Sequence, residues 1–202
     1  MIRPRTFVAV LAASALALAA LVGVGLRPAL ADHHEKSGDH FNVDPVHSTV
    51  IFGARHAGAG YTYGRFNDFE GGFNLGDNPS FKLTVRAGSI DTGNRDRDRH
   101  LSGPDFFNAK QFPTITFKST AAEDKGEAWH VTGKMTMLGE TKTITIPVKV
   151  LSADASFRGK ALGAVHAEFT IKRSDFGMTW GVDKGIVGDE IKAIVALEGV
   201  KE

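Results

Sequence analysis

The densest run of chemically capable side chains lies between Asn94 and Ser119, NRDRDRHLSGPDFFNAKQFPTITFKS. Arg97 and His100 are its sharpest candidates. A guanidinium group matches phosphate oxygens, and an imidazole can exchange a proton or bind a metal. His47 stands alone in a second polar segment, Asp44-Pro45-Val46-His47-Ser48. A third group, His33, His34 and His40 beside Glu35, has the ligand types that zinc and copper accept. Each group has a plainer reading. Asn94 suits a helix N-cap, and residues 95–101 are expected to form two helical turns. There Arg95–Asp98 and Asp96–Arg99 fall at i,i+3 spacing and neutralise one another locally, and His47 and His100 serve as hydrogen-bonding anchors of loops. The segment 32–40, DHHEKSGDH, lacks periodicity and reads as a solvated, disordered leader without the outer shell that fixes metal ligands.

Several chemistries are excluded or unmarked. The chain has no Cys, which removes thiol catalysis, iron–sulfur and Cys–zinc sites, and any disulfide framework. Gly-x-Ser-x-Gly and His-Glu-x-x-His do not occur. Asp175-Phe176-Gly177 matches the kinase magnesium motif, but no Gly-rich phosphate loop accompanies it and the match is a coincidence. No catalytic residue is expected.

The positioning elements begin after residue 31. Arg3 and Arg5, the apolar run Phe7 to Leu26 and the small-x-small Ala29-Leu30-Ala31 read as a secretory signal. A retained membrane anchor is the alternative, since about 20 apolar residues span a bilayer. Cleavage would remove Arg3, Arg5 and Arg27, leaving 21 Lys and Arg against 23 Asp and Glu, a formal charge of −2 in place of +1. A mildly acidic export product has no electrostatic footprint for nucleic acid. The location is expected to be periplasmic or secreted.

From Phe41 the pattern is one of strands. Val50/Phe52/Ala54, Phe69/Gly71/Phe73, Phe81/Leu83/Val85, Ile115/Phe117, Trp129/Val131/Gly133/Met135/Met137, Ile144/Ile146/Val148, Val165/Ala167/Phe169/Ile171 and Ile191/Ala193/Val195/Leu197 each alternate with polar residues. Asn67-Asp68 shifts the phase and predicts a bulge or bend. Pro147 cannot donate to a ladder and is expected at an edge, a bulge or an outward N–H position. About eight antiparallel strands with short helices predict an all-β fold. A closed barrel removes the sheet edges, and a two-sheet sandwich is the alternative on spacing alone. A barrel of this size is either filled by side chains or holds one elongated ligand. Phe106 and Phe107 are adjacent, so one is expected to plug the core while the other lines a cavity mouth.

Six motifs in order carry a family resemblance: Asp44-Pro45-Val46-His47-Ser48, Arg65-Phe66-Asn67-Asp68-Phe69-Glu70-Gly71, Arg97-Asp98-Arg99-His100-Leu101 with Asp105-Phe106-Phe107, Phe112-Pro113-Thr114-Ile115-Thr116-Phe117, Arg173-Ser174-Asp175-Phe176-Gly177, and Val187-Gly188-Asp189-Glu190. Over residues 41–200 the chain resembles the YceI-like polyisoprenoid-binding proteins. Ala57 to Tyr63, with extra Gly and two Tyr, departs from the pattern and is expected to alter a loop near the cavity. The resemblance implies a lipocalin-like barrel over 41–202 behind a signal at 1–31 and a leader at 32–40. It implies an elongated apolar channel for a polyprenyl quinone or polyprenyl phosphate, no required cofactor, no enzymatic turnover, and a periplasmic setting. It leaves room for an envelope redox or membrane protein partner and for a monomer or homodimer. The candidate channel and mouth residues are Phe52, Phe66, Phe69, Phe73, Phe106, Phe107, Phe117, Trp129, Phe169, Phe176, Trp180, Arg97, His100 and His47. Fourteen Phe, two Trp and four Met supply bulky apolar surface, and each buried isoprene unit contributes roughly 3–4 kcal/mol gross. About two-thirds of the Phe are expected to serve core packing. The reading from another class is a metal- or redox-handling accessory protein that uses the His-rich leader.

Overall fold

A computed structural model describes residues 40–202; the signal expected at 1–31 and the candidate ligands His33 and His34 lie outside the described residues. Among these residues eleven strand segments and one α-helix follow in order, with two short 3-10 turns at Ala87–Ser89 and Arg173–Phe176. They are β1 (His40–Val43), β2 (Thr49–His56), β3 (Tyr61–Phe66), β4 (Phe69–Asn74), β5 (Ser80–Arg86), β6 (Ile90–Asp91), α1 (Arg95–Leu101), β7 (Thr114–Asp124), β8 (Trp129–Met137), β9 (Glu140–Phe157), β10 (Lys160–Lys172) and β11 (Val187–Lys201). His40, assigned to the leader from the sequence, is instead the first residue of β1 and pairs with Asn74.

The eleven segments make eight staves. β11 pairs with β10 on one side and with both β1 and β2 on the other. β4 pairs with β1 while β3 pairs with β2. β5 pairs with β4 while β6 pairs with β3. Each of the first three staves is therefore broken once, at 44–48, at 67–68 and at 87–89. The breaks are stitched across staves, since the Asn67 N–H donates to the Ser89 carbonyl and the Arg86 N–H to the Asp68 carbonyl. Three neighbouring staves bending together curve the wall. From β7 to β11 the staves run unbroken, and the β1–β11 pairing closes an antiparallel barrel. Closure gives every stave a neighbour on both sides, the physical reason for a barrel over an open sheet.

Two strand features differ from the periodicity. β3 runs through Tyr61 and Tyr63, where the sequence suggests a loop. Its two tyrosines face outward while Thr62, Gly64 and Phe66 take the inward positions: Gly64 and Phe66 are buried and Tyr61 and Tyr63 are exposed. This inverts the usual hydrophobic alternation and hides the strand. β9 continues beyond Val150 to Phe157, held only by β10. Pro147 sits inside β9 opposite His130, and the β9–β10 ladder stops at Val148, so no bond is lost at the proline.

An up-and-down order puts the connections alternately at two ends. Short hairpins at 75–79, 125–128 and 158–159 form one end, here the hairpin end. Residues 92–113 and 173–186, with the tight turns at 57–60 and 138–139, form the crossover end. The expected helix spans Arg95–Leu101, and the Asn94 side chain accepts from the Asp96 and Arg97 N–H groups at 3.1 and 3.0 Å. Such a cap contributes about 1 kcal/mol. Two apolar clusters fill the ends. Phe41, Phe73 and Phe81 stack at the hairpin end with centroids 5.4 and 6.4 Å apart. Phe106, Met137, Phe176 and Met178 form the second cluster, at the crossover end.

Candidate functional site: an apolar cavity inside the barrel

Between the two clusters the inward faces of the staves do not meet. They enclose a cavity of about 190 Å³, larger than the roughly 150 Å³ apolar cavity that accepts benzene. Alternation on each strand sends one residue in two to this wall. β2 contributes Val50, Phe52 and Ala54; β8 contributes Met135 and Met137; β9 contributes Ile144, Ile146 and Val148. β10 contributes Val165, Ala167, Phe169 and Ile171, and β11 contributes Val187, Ile191, Ala193, Val195 and Leu197. Two glycines let large rings lie flat along the wall. A Cβ at Gly64 would stand 2.4 Å from the Phe52 ring, and one at Gly133 2.4 Å from the Phe117 ring. Among the described residues, the lining side chains that are polar are Lys82, Thr116 and Arg173. A dry space of this kind has no partners for several ordered waters, but it suits methyl and methylene groups.

Of the sequence-derived candidates, Phe52, Phe66, Phe106, Phe107, Phe117 and Phe169 border the cavity. The adjacent pair does not divide as expected, because both rings reach it. Phe106 does so from the second cluster and Phe107 by an edge contact 5.4 Å from Phe66. The tight turns after α1 rotate the backbone between them: the Phe106 N–H donates to the Gly103 carbonyl and the Phe107 N–H to the Leu101 carbonyl. Phe69 and Phe73 belong to the main core, and Trp129 packs against it; Phe176 is buried in the second cluster. None of these four borders the cavity.

The polar candidates surround rather than line it. Arg97 reaches back to Thr92, with Nε donating to the hydroxyl at 2.7 Å and Nη2 to the carbonyl at 2.8 Å. Arg99 pairs with Asp96 at 2.7 Å as expected. Asp98 instead accepts from the Thr92 N–H and hydroxyl. His100 lies 3.0 Å from Asp105, and its ring meets Phe106 and Trp180 edge-on at 5.0 and 5.1 Å. Phe106 and Trp180 are 5.2 Å apart. An aromatic triad thus joins the two long connections at the crossover end. His47 is elsewhere, on the break between β1 and β2. Its Nδ1 sits 2.8 Å from Asp44 and 3.8 Å from Glu198. The hydrogen bond to Asp44 raises the imidazole above its ordinary value and, reciprocally, lowers the carboxylate. Asp44, His47 and Glu198 have metal-ligating atoms within 4.8 Å of one another, but the ion pair accounts for the arrangement.

Sequence reasoning passed over the aliphatic and Met positions of the wall. Met135 and Met137 share the inward face of Trp129, so the alternation itself was the signal. Arg173 was also passed over. It is 2 % exposed and borders the cavity, and a charged residue just past a strand carries no mark of burial in one sequence.

With this geometry in place, the YceI-like domain family matches residues 41–199. A UPF0312 protein of Pseudomonas paraeruginosa (strain DSM 24068 / PA7) is 35% identical over 160 residues, covering 77% of this chain and 83% of its own. Protein YceI of Salmonella arizonae (strain ATCC BAA-731 / CDC346-86 / RSK2980) is 36% identical over 161 residues, with the same coverage. Among solved structures, Burkholderia cenocepacia BcnA superposes with a TM-score of 0.71 at 29% identity, over 77% of this chain and 98% of BcnA. A polyisoprenoid binding domain from Saccharophagus degradans superposes with a TM-score of 0.65 over 82% of this chain and 99% of that domain. At 16% identity, the latter is a likeness of fold.

Proposed function

Given that this chain belongs to the YceI-like family, we propose that its barrel carries one isoprenoid or other long-chain lipid, a polyprenyl quinone or polyprenyl phosphate, without chemical turnover. The carrying observation is the cavity itself. It is about 190 Å³, walled mostly by apolar side chains from β2 to β11, and bordered by two Phe rings that glycines allow to lie flat. Each isoprene unit moved from water into such a space gains roughly 3–4 kcal/mol before the cost of ordering the chain. Affinity then needs few polar contacts, in keeping with the short polar inventory of the wall. The S. degradans domain, whose description is polyisoprenoid binding, lends the ligand class by analogy of fold. The role is transport, storage or stress protection of that lipid in the cell envelope, in the periplasm or outside the cell.

The test is extraction. Purified protein is treated with organic solvent and the extract analysed by mass spectrometry, and emptied protein is offered a polyprenyl quinone. A co-purifying long-chain lipid, or stoichiometric uptake of the quinone, is expected. An empty extract together with no uptake would remove the reading.

A further inference from the structure

Arg173 begins the crossover-end connection after β10 and is buried on every side. Its guanidinium carries five N–H groups. Nε donates to the Gly188 carbonyl at 2.9 Å, Nη1 to the Met178 carbonyl at 3.0 Å, and Nη2 to the Trp180 and Val187 carbonyls, both at 2.8 Å. Four N–H groups are used, and the second one on Nη1 has no acceptor among the described residues. The charge also has no direct counterion among the described residues. No described ion pair includes Arg173. Asp189, the carboxylate that favours its charge, accepts from the Ser174 N–H and hydroxyl instead. Yet the side chain borders the cavity, and its Cζ stands 5.9 Å from the centroid of Phe106, another lining residue.

A buried cation with a donor to spare is costly in an apolar wall, and the cost falls when an electron-rich oxygen arrives. The nearby aromatic faces and carbonyl dipoles offset part of it. Resting on the lipid-carrier reading, we propose that Arg173 is the head-group receptor of this cavity. The free Nη1–H donates to an oxygen acceptor on the lipid, a carbonyl or an ionised acid, and the head lies at the crossover end while the tail runs toward the Phe41–Phe73–Phe81 stack. Arg97, turned back to Thr92, is not that receptor. The wall then selects by charge type: oxygen acceptors are taken and cationic heads of equal size are refused.

Replacing Arg173 releases four carbonyls of its own connection and can unfold it, so the test keeps Arg173 intact. Oleate and oleylammonium have matched chains and opposite heads, and their dissociation constants are measured on emptied wild-type protein. Oleate is expected to bind about tenfold tighter or more. Orientation is read from the two tryptophans, since Trp129 opens β8 beside the 125–128 hairpin and Trp180 lies in the crossover-end connection. With the single-tryptophan variants Trp129→Phe and Trp180→Phe, a fatty acid brominated near its tail is expected to quench Trp129 more than Trp180. Equal affinities, a preference for the ammonium, or stronger quenching of Trp180 overturns the head-group assignment and leaves the carrier reading standing. If neither chain binds, both are overturned.

Discussion

The two ends of the barrel are closed by different means. At the hairpin end the closure belongs to the sheet: Phe41 and Phe73 sit opposite each other across β1 and β4, each 1% exposed, and Phe81 follows on β5. At the crossover end the closure belongs to two long connections, joined through His100, Phe106 and Trp180, with Trp180 36% exposed and His100 also at the surface. Sheet ladders are cooperative and hard to open locally, whereas edge contacts between loops open at low cost. The contrast sets a closure built into the sheet against one built from connections, and on the proposed carrier reading the second is the end expected to open for a ligand.

The strongest test of that division is Phe73→Ala. Loss of a fully buried ring in the hairpin-end stack should destabilise the fold by about 3–5 kcal/mol in denaturant unfolding. A loss under about 1 kcal/mol would show that this end is not the structural one. At the other end, Phe106→Ala with Phe107→Ala should weaken lipid uptake by about tenfold or more. Arg95→Ala with Arg99→Ala should change it less than about twofold, because those side chains are solvated and partly self-paired. The reverse order would return the function to the charges. Trp180→Ala should cost only about 1 kcal/mol of stability, as expected for a half-exposed ring. It should also speed release of a bound fluorescent lipid; unchanged release would place the passage elsewhere.

The smallest effect concerns His47, which lies on a broken stave away from both ends. Its folded-state value is raised by Asp44. The contact therefore stabilises fully below the ordinary histidine value and is lost as pH rises through the raised one. Proton NMR titration should find His47 above the ordinary histidine value, and His47→Ala should leave lipid affinity within about twofold. A large loss of affinity would draw the 44–48 break into the site.

The contrast between ends also marks what a single sequence can reveal. Alternation in β2, β5, β8, β10 and β11 is carried by local chemistry, and the α1 cap is written in Asn94 and its neighbours. β3 was hidden because Gly64, on its inward face, yields its space to Phe52 while its two tyrosines face outward. Phe69, Phe73 and Trp129 are as apolar and inward as Phe52 and Phe117, yet they fill the core while the latter border the cavity. That distinction depends on what stands opposite across the ring.

The sequence by itself therefore determined the strand grammar, the capped helix, the absence of thiol chemistry and the family. Each of these rests on residue types and near-neighbour spacing, which the chain states directly. Only the tertiary structure decided that eleven segments make eight staves, which rings border the cavity, that Arg97 turns back to Thr92, and that Arg173 is buried beside the cavity with one donor unused among the described residues. Those outcomes depend on contacts between residues far apart in the chain. Whether a volume is filled or left open is a balance struck by all the staves together.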